Sequence, residues 1–261
     1  MMLETIGDYD VRLLERVGSI VRYAATHVVL PRRAIIELLD ADAPQVDAVK
    51  LMRRACMLDA LQHPAVPRIY ECGRLGSRPW IAIAHDRNAT LRDELRDGRL
   101  QVREALTLLE DVGAVLAHAH ARGVLHGNIT ATAIVRTPAL RIQKWESART
   151  HDTELSCDAL DGSDDVLALG KTIAGALDRP EEVPGAVRQL IGRLLAADAS
   201  RRPTAVEVVK SARALREAMG LIDRVALTGE VEEPEIEIQH EPEEEVILLE
   251  QRRPTVDRQA G

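Results

Sequence analysis

The segment GVLHGNITATAIV, residues 123–135, places one histidine and one asparagine in a short turn between two apolar runs, each of which we predict to be a strand. A turn of this form is typical of a catalytic loop, in which a side chain takes or gives a proton. Apart from His126 the polar groups are neutral, and the amide oxygen of Asn128 is far too weak to act as a base. The segment therefore has the shape of a catalytic loop with few of the groups that catalysis needs.

The cysteines do not indicate a metal site or a disulfide framework. Cys56, Cys72 and Cys157 are odd in number and show no C-x-x-C spacing. We therefore expect them to be idle thiols, without a zinc ion or redox chemistry.

The charge of the chain is concentrated near its end. Residues 230–250 hold ten Glu and no Lys or Arg, whereas the whole chain has a formal net charge of −8. The rest shows no basic stripe with interleaved aromatic residues, so nucleic acid is not an expected partner. There is no apolar run of 18 residues, and the first residues are acidic where a signal peptide would be basic, so we expect no membrane span and a cytoplasmic protein.

The elements that must position the loop fall into two groups. Up to about residue 84 the chain consists of short β-branched apolar runs, interrupted once by QVDAVKLMRRACMLDALQHP with helical spacing. From about residue 91 to 219 five segments show apolar stripes of helical period. We predict a small sheet carrying one helix, followed by a helical region. The alternating acids and apolar residues beyond 220 are too charged to form a core and are expected to be disordered or to fold on a partner.

The order of these segments resembles a bacterial Ser/Thr protein kinase domain, from about Asp8 to Arg216. Four motifs carry the resemblance: LDALQHPAVPRIYECG, VGAVLAHAHARGVLHGNITATAIV, SDDVLALGKTIAGAL and RLLAADASRRPTAVEVV. They are similar to the end of helix αC with the fourth strand, to helix αE with the catalytic loop, to the start of αF, and to the closing helices. The resemblance implies an α+β, two-lobed fold, with a β-rich lobe over residues 1–84, a helical lobe over 85–219 and an acidic tail over 220–261.

The resemblance places Glu37 where the family has the Lys that holds the α- and β-phosphates, and Arg54 where the family has its partner Glu. An exchanged pair could still join strand to helix, although an inward carboxylate would repel phosphate. The alternative is that Glu37 and Arg54 are separate solvated charges. Arg22 is a candidate stand-in for the missing Lys, and Gly18 alone remains of the glycine-rich loop.

In the same alignment, the residues that serve as base and metal ligands in the family are replaced in this chain. His126 is kept, Asn128 replaces the catalytic Asp, Thr130 replaces the Lys that steadies the γ-phosphate, Ala133 replaces a magnesium-binding Asn, and Lys144 replaces the Asp of the D-F-G motif. We therefore predict no catalytic residue, no cofactor and no metal.

In the cleft we expect the Lys144 ammonium to contact Glu37 directly or through one water, so that Glu37, Arg54 and Lys144 fill the space with a small positive charge. The alternative is an open cleft with three independent charges. Ile35, larger than the family's usual Ala beneath adenine, would narrow the cleft further.

Five positions correspond to the internal stack that links the lobes in the family: Leu58, Ile69, His126, Trp145 and Asp165. The resemblance implies that Asp165 accepts hydrogen bonds from the backbone of the catalytic loop. Packing residues are thus kept while chemical residues are lost.

These features predict a pseudokinase, which binds another protein as a scaffold or regulator and uses the acidic tail as one contact. The short segment between Trp145 and Asp165, which lacks an A-P-E motif, argues against switchable activation and against peptide substrates. The alternatives are an atypical kinase-fold transferase that uses ATP, and a metal-free nucleotide sensor.

Overall fold

The computed structural model describes residues 5–85, 88–150 and 162–220 of the chain. Its first part is an antiparallel sheet with strand order β1-β2-β3-β4-β6-β5. The strands are β1 (Thr5–Ile6), β2 (Tyr9–Val17), β3 (Ile20–His27), β4 (Arg33–Leu39), β5 (Ile69–Leu75) and β6 (Arg78–Ala84). Helix α1 (Gln45–Leu61) lies between β4 and β5 in the chain. We call these elements the sheet lobe.

The turn between β2 and β3 explains why no long glycine-rich loop forms. Val17 pairs with Ile20, so only Gly18 and Ser19 connect the two strands. Gly18 has a φ of +56°, a conformation that glycine adopts without steric cost. The backbone N–H and C=O groups of the two strands are therefore paired with each other almost to the tip of the hairpin.

The two faces of the sheet bury separate apolar clusters. On one face α1 packs Leu51 and Ala55 against Leu39 and Ile81. On the other face Tyr9 and Trp80 pack with apolar residues of β1, β3 and β4. Alternation along each strand sends successive side chains to opposite faces, which is why both clusters can form from the same strands.

The second part, which we call the helical lobe, contains five α-helices and four short strands in the described residues. The helices are α2 (Leu91–Glu94), α3 (Val102–His120), α4 (Ser163–Ala176), α5 (Gly185–Leu194) and α6 (Ala205–Ala218). The strands are β7 (Val124–Leu125), β8 (Ile134–Val135), β9 (Arg141–Ile142) and β10 (Arg149–Thr150). β7 pairs with β10, and β8 pairs with β9.

Capping and apolar spacing fix the helices. Thr90 and Thr204 each form a capping box with the acid three residues later, Asp93 and Glu207 respectively. Along the central helix α3 the buried residues recur at helical spacing and form the middle of the lobe's apolar core. The core thus supports the loop that leaves α3 and carries His126.

Two predicted features lie outside the described residues: the acidic tail beyond Gly220, and residues 151–161 of the segment between Trp145 and Asp165. The domain limits at residues 84 and 219 stay predictions. None of the helices in the described part of the chain is both long and apolar enough to cross a membrane.

Candidate functional site: the cleft between the sheet lobe and the catalytic-type loop

Glu37 lies at the centre of a buried ion-pair network. It is 1% exposed, and on the neighbouring strand β3 its register partner is Arg22. Arg22 Nε and Nη2 donate to Glu37 Oε1 at 3.1 and 2.9 Å. The other carboxylate oxygen, Oε2, forms an ion pair with Nη2 of Arg54 on α1. One carboxylate is therefore shared by two guanidinium groups.

The contact between Glu37 and Arg54 confirms that the exchanged charges meet across strand and helix. Arg54 is only 7% exposed. Burial, with a smaller contribution from the positive charge of Arg22, lowers the pKa of Arg54 from 12.5 to about 10. Even so, the guanidinium is protonated at neutral pH, and Glu37 supplies its counter-charge.

Arg22 also connects the two lobes. Its guanidinium contacts Glu15 Oε1 at 3.0 Å within the sheet, and it forms an ion pair with Glu146 in the helical lobe. Glu146 belongs to a 3₁₀ turn, Trp145–Ser147, which follows Lys144 in the chain. The sequence suggests Arg22 only as a phosphate ligand; in the structure it bonds three carboxylates.

The predicted direct contact between Lys144 and Glu37 is wrong, and a contact through one water stays a prediction. Lys144 Nζ donates to Thr132 Oγ1 at 3.0 Å, and the residue is exposed. Its backbone is left-handed, with a φ of +62°. The prediction failed because it placed the cation next to the nearest carboxylate of the alignment, whereas Glu37 is already held by Arg22 and Arg54.

The loop that contains His126 is held by a buried carboxylate at the start of α4. Asp165 accepts from the backbone N–H of His126 at 2.8 Å and of Gly127 at 2.7 Å. The same carboxylate lies 2.9 Å from His120 Nε2, on the last turn of α3. Burial acts to raise the pKa of Asp165, but these three hydrogen bonds outweigh it and hold the pKa below its usual range.

His126 is buried, and both of its ring nitrogens form hydrogen bonds. Its Nε2 lies 2.9 Å from the carbonyl oxygen of Gln143, so that this nitrogen is the donor, and its Nδ1 accepts from the N–H of Asn128 at 3.2 Å. Burial lowers the pKa of His126 despite the opposing effects of Gln143 and Asp165. Both ring nitrogens are therefore used in holding the loop, which leaves His126 no role as a base.

Gly127 permits a close approach that another residue would prevent. Its φ is +78°, and a Cβ atom built there would lie 2.7 Å from the carbonyl oxygen of Ser147. The loop and the 3₁₀ turn of Glu146 are therefore packed backbone against backbone.

The residues predicted to form the internal stack lie together. The rings of His126 and Trp145 are 4.5 Å apart, and the indole N–H donates to Ile142 O at 2.7 Å. Leu58 and Trp145 belong to the same buried apolar cluster, and Ile69 packs against it. Their assignment as a stack equivalent to that of the family stays a prediction, but their packing joins α1, β5 and the catalytic-type loop.

The remaining predicted positions carry little chemistry. Asn128 is exposed, and Thr130 Oγ1 lies 3.0 Å from Thr132 Oγ1. Ala133 is fully buried, with its backbone N–H bonded to Thr130 O. No group of three or more His, Cys, Asp or Glu side chains among residues 5–85, 88–150 and 162–220 is placed to hold a metal ion.

A cavity of about 200 Å³ lies against this network. Part of its wall is apolar and part is charged. The apolar part is formed by Leu14, Ile35, Leu58, Pro67, Ile83, Ala84 and Trp145, and the charged part by Glu15, Arg22, Glu37, Arg54, Lys144 and Glu146. Three carboxylates face three cations, so the charged wall is neutral overall, where sequence analysis expected a small positive charge.

No protein-family model matches the chain. It is 31% identical over 109 residues to the serine/threonine-protein kinase pkn2 of Myxococcus xanthus, covering 41% of this chain and 13% of that protein. It is 28% identical over 127 residues to PrkC of Bacillus subtilis, covering 47% and 20%. The chain thus matches about a fifth or less of the length of these relatives.

The structural comparison covers much more of the chain. Two crystal structures of substituted forms of the Mycobacterium tuberculosis PknI kinase domain superpose with TM-scores of 0.62 and 0.64, at 21% and 20% identity. The first alignment covers 84% of this chain and all of that domain. The chain has the two-lobed α+β fold of a protein kinase. This confirms the predicted fold.

The carboxylates in the cleft of this kinase-like domain are already paired. Glu15, Glu37 and Glu146 each contact Arg22, and Glu37 also pairs with Arg54. Near them Ala133 contributes a buried methyl group and Lys144 an ammonium, neither of which can ligate magnesium.

Proposed function

We propose that this kinase-like domain is a pseudokinase, which does not transfer phosphate and acts as a scaffold or regulator that binds another protein. The observation that carries the proposal is the Glu37 network. A carboxylate at the position of the phosphate-binding Lys, paired with Arg22 and Arg54, repels phosphate and satisfies the cations that could attract it.

The loss of the base supports the same proposal. Phosphoryl transfer in this fold depends on positioning the hydroxyl that attacks and on neutralising the charge that develops on phosphate. Asn128 cannot take a proton at neutral pH, and His126 is committed to the loop through both nitrogens. No other acid of the described chain lines the cleft apart from Glu15, Glu37 and Glu146, each of which contacts Arg22.

The preserved shape supports a binding role. Asp165, the loop amides and Trp145 hold the two lobes and the catalytic-type loop as one packed unit, so the domain offers a fixed surface without chemistry at its centre. We propose that the acidic tail over residues 220–261 is one contact with the partner, because its ten Glu between 230 and 250 would attract a basic surface. We also propose a cytoplasmic location.

The first test is nucleotide binding by the full-length chain. Because a ligand stabilises the native state only if it binds that state, we expect the melting temperature to change by less than about 1 °C at millimolar ATP, with or without magnesium. Incubation with γ-labelled ATP should label neither the chain nor generic substrates. Labelling that disappears in an Asn128→Ala variant would refute the proposal.

The second test concerns the tail. Pull-downs with the full-length chain should be compared with a full-length variant in which the ten Glu between 230 and 250 are replaced by Gln. We expect the variant to lose partners that the unchanged chain retains, and the loss to be greater at low salt, where charge attraction is strongest. Identical capture by both proteins would show that the tail does not contribute.

A second candidate function is suggested by the cavity itself. Its apolar wall, with Ile35 and Ile83 on neighbouring strands, lies beside Arg22 and Lys144. This arrangement favours a metal-free nucleotide sensor, or an atypical transferase that uses ATP in another pose. Saturable ATP binding without magnesium and without turnover would favour the sensor, and binding with turnover would favour the transferase.

A further inference from the structure

Two free cysteines lie at the edge of the sheet lobe that is farthest from β1. Cys72 is on β5, the edge strand, and is exposed. Its register partner on β6 is Ile81, and paired residues on neighbouring strands point to the same face of a sheet. Ile81 packs against Leu51 and Ala55 of α1, so Cys72 lies on the face that α1 covers.

Cys56 lies on the flank of α1 that faces the same edge. Arg54 points towards β4, where it meets Glu37. Two residues later the helix has turned by about 200°, so Cys56 points to the opposite flank. In the sheet, β6 and then β5 lie beyond β4, so the flank opposite Arg54 faces β5 and Cys72.

The electrostatics of Cys72 agree with this placement. Partial burial raises the pKa of the Cys72 thiol, and the charges of Cys56, Asp59 and Glu71 raise it further. Cys56 and Asp59 are both on α1, three residues apart and therefore on one side of the helix. Both thiols are exposed, so a small oxidant can reach them.

We propose that Cys56 and Cys72 are a modification site, at which a peroxide converts the two thiols to a reversible disulfide that ties α1 to β5. The thiolate of Cys56 attacks one peroxide oxygen, which breaks the O–O bond and yields a sulfenic acid and water. The Cys72 sulfur then attacks the sulfenic sulfur, forming the S–S bond and releasing the second water. Two thiols and one hydrogen peroxide thus give one disulfide and two waters, and the peroxide takes both electrons.

The order of the two attacks follows from the thiolate requirement. The thiolate is the nucleophile, and the raised pKa of Cys72 lowers its thiolate fraction, so we assign the first attack to Cys56 and the second to Cys72. The disulfide would fix α1 from the flank opposite Arg54 and so hold the ion pair with Glu37. The spacing of the two cysteines in the chain predicts idle thiols, because spacing alone does not show that α1 packs against β5. The proposal depends neither on catalysis nor on its absence.

The test uses the full-length chain with Cys157 replaced by Ser, which leaves the two cysteines of interest. Treatment with hydrogen peroxide, followed by non-reducing digestion and mass spectrometry, should yield a peptide pair linked through Cys56 and Cys72. The link should disappear on reduction and in the Cys56→Ser and Cys72→Ser variants. The disulfide closes a loop of fifteen intervening residues, so the oxidised protein should melt about 5–10 °C higher.

A proximity measurement without an oxidant completes the test. Dibromobimane fluoresces only after both of its arms have reacted with thiols, and it should bridge Cys56 and Cys72 faster in the native protein than in urea. Equal rates in the two conditions, or oxidation that yields only sulfinic acids or links between molecules, would overturn the proposal. A Tm that stays unchanged in a protein shown to carry the link would overturn the predicted restraint on α1.

Discussion

Replacing Glu37 by Gln should strongly destabilise the sheet lobe. The substitution keeps the size of the side chain but removes the charge that faces Arg22 and Arg54. Burial and the charge of Arg22 lower the pKa of Arg54 from 12.5 to about 10, which corresponds to roughly 3 kcal/mol against the charged form. Removal of Glu37 would add to this cost, because a buried cation would lose its counter-ion, and we expect a loss of about 3–5 kcal/mol in the free energy of unfolding.

The measurement is urea unfolding of the full-length chain followed by tryptophan fluorescence, since Trp80 reports on the sheet lobe and Trp145 on the cleft. Glu15→Gln is the matched control. Glu15 also contacts Arg22, at 3.0 Å, but its side chain is 54% exposed, so its removal should cost less than about 1 kcal/mol.

A double-mutant cycle with Arg54→Met separates the pair from its surroundings. We expect a coupling energy between Glu37 and Arg54 of about 0.5–3 kcal/mol. Equal losses of unfolding free energy in Glu37→Gln and Glu15→Gln, or additive effects at positions 37 and 54, would show that the buried network does not stabilise the cleft.

Three further predictions follow from the loop and its neighbours. Asp165→Asn should cost about 2–4 kcal/mol at pH 7. Because the folded-state pKa of Asp165 is depressed, the advantage of the unchanged protein is complete above the unfolded pKa and is lost as pH falls through the folded one. The stabilities of the two proteins should therefore begin to converge below about pH 4 and become equal only below the folded-state pKa. Gly127→Ala should cost more than Gly18→Ala in thermal unfolding, because both residues have positive φ but only at Gly127 does the new Cβ meet a backbone oxygen; equal costs would show that the contact with Ser147 can relax. Lys144→Met should change the free energy of unfolding by less than about 0.5 kcal/mol in urea, because Lys144 is exposed and its Nζ donates to the hydroxyl of Thr132. A larger loss would indicate that Lys144 does meet the buried carboxylates.

Periodicity was sufficient to predict most elements of the fold. The helix over QVDAVKLMRRACMLDALQHP appears as α1, and the long apolar stripe before the catalytic-type loop appears as α3. Strand β1 was not predicted, because two residues are too few to show any alternation. The two apolar strands predicted on either side of the His126 turn appear as β7 and β8, whereas β10 was not predicted.

Site residues could be predicted where a sequence motif fixes their position. They could not be predicted where strand register determines which side chains meet. Glu37 and Arg54 could be placed by counting from the αC and strand motifs. The role of Arg22 depends on its register opposite Glu37, and the β-bulge between Leu13 and Glu15 shifts the register within β2. The contribution of His120 became visible only when α3 and α4 were packed together.

The error at Lys144 has a physical cause. An alignment gives the position of a Cα atom, and the direction of a long side chain depends on which partners are still free. Arg22 reaches both Glu37 and Glu146, so no unpaired carboxylate is left on that side for the ammonium. The left-handed backbone at Lys144 is likewise invisible in the sequence, since the residue is neither Gly nor Asn.

On the proposed assignment the Glu37–Arg54 pair has the reverse polarity of the kinase Lys–Glu pair, and single mutations could not easily restore that polarity. Glu37→Lys alone would place a third cation beside Arg22 and Arg54, and Arg54→Glu alone would face Glu37 with a second buried carboxylate. Either intermediate would cost about 3–5 kcal/mol, out of the roughly 5–15 kcal/mol that holds a domain folded. Positions 37 and 54 can therefore change only together. Once the pair has arisen in evolution, the low stability of both single-mutant intermediates opposes its loss.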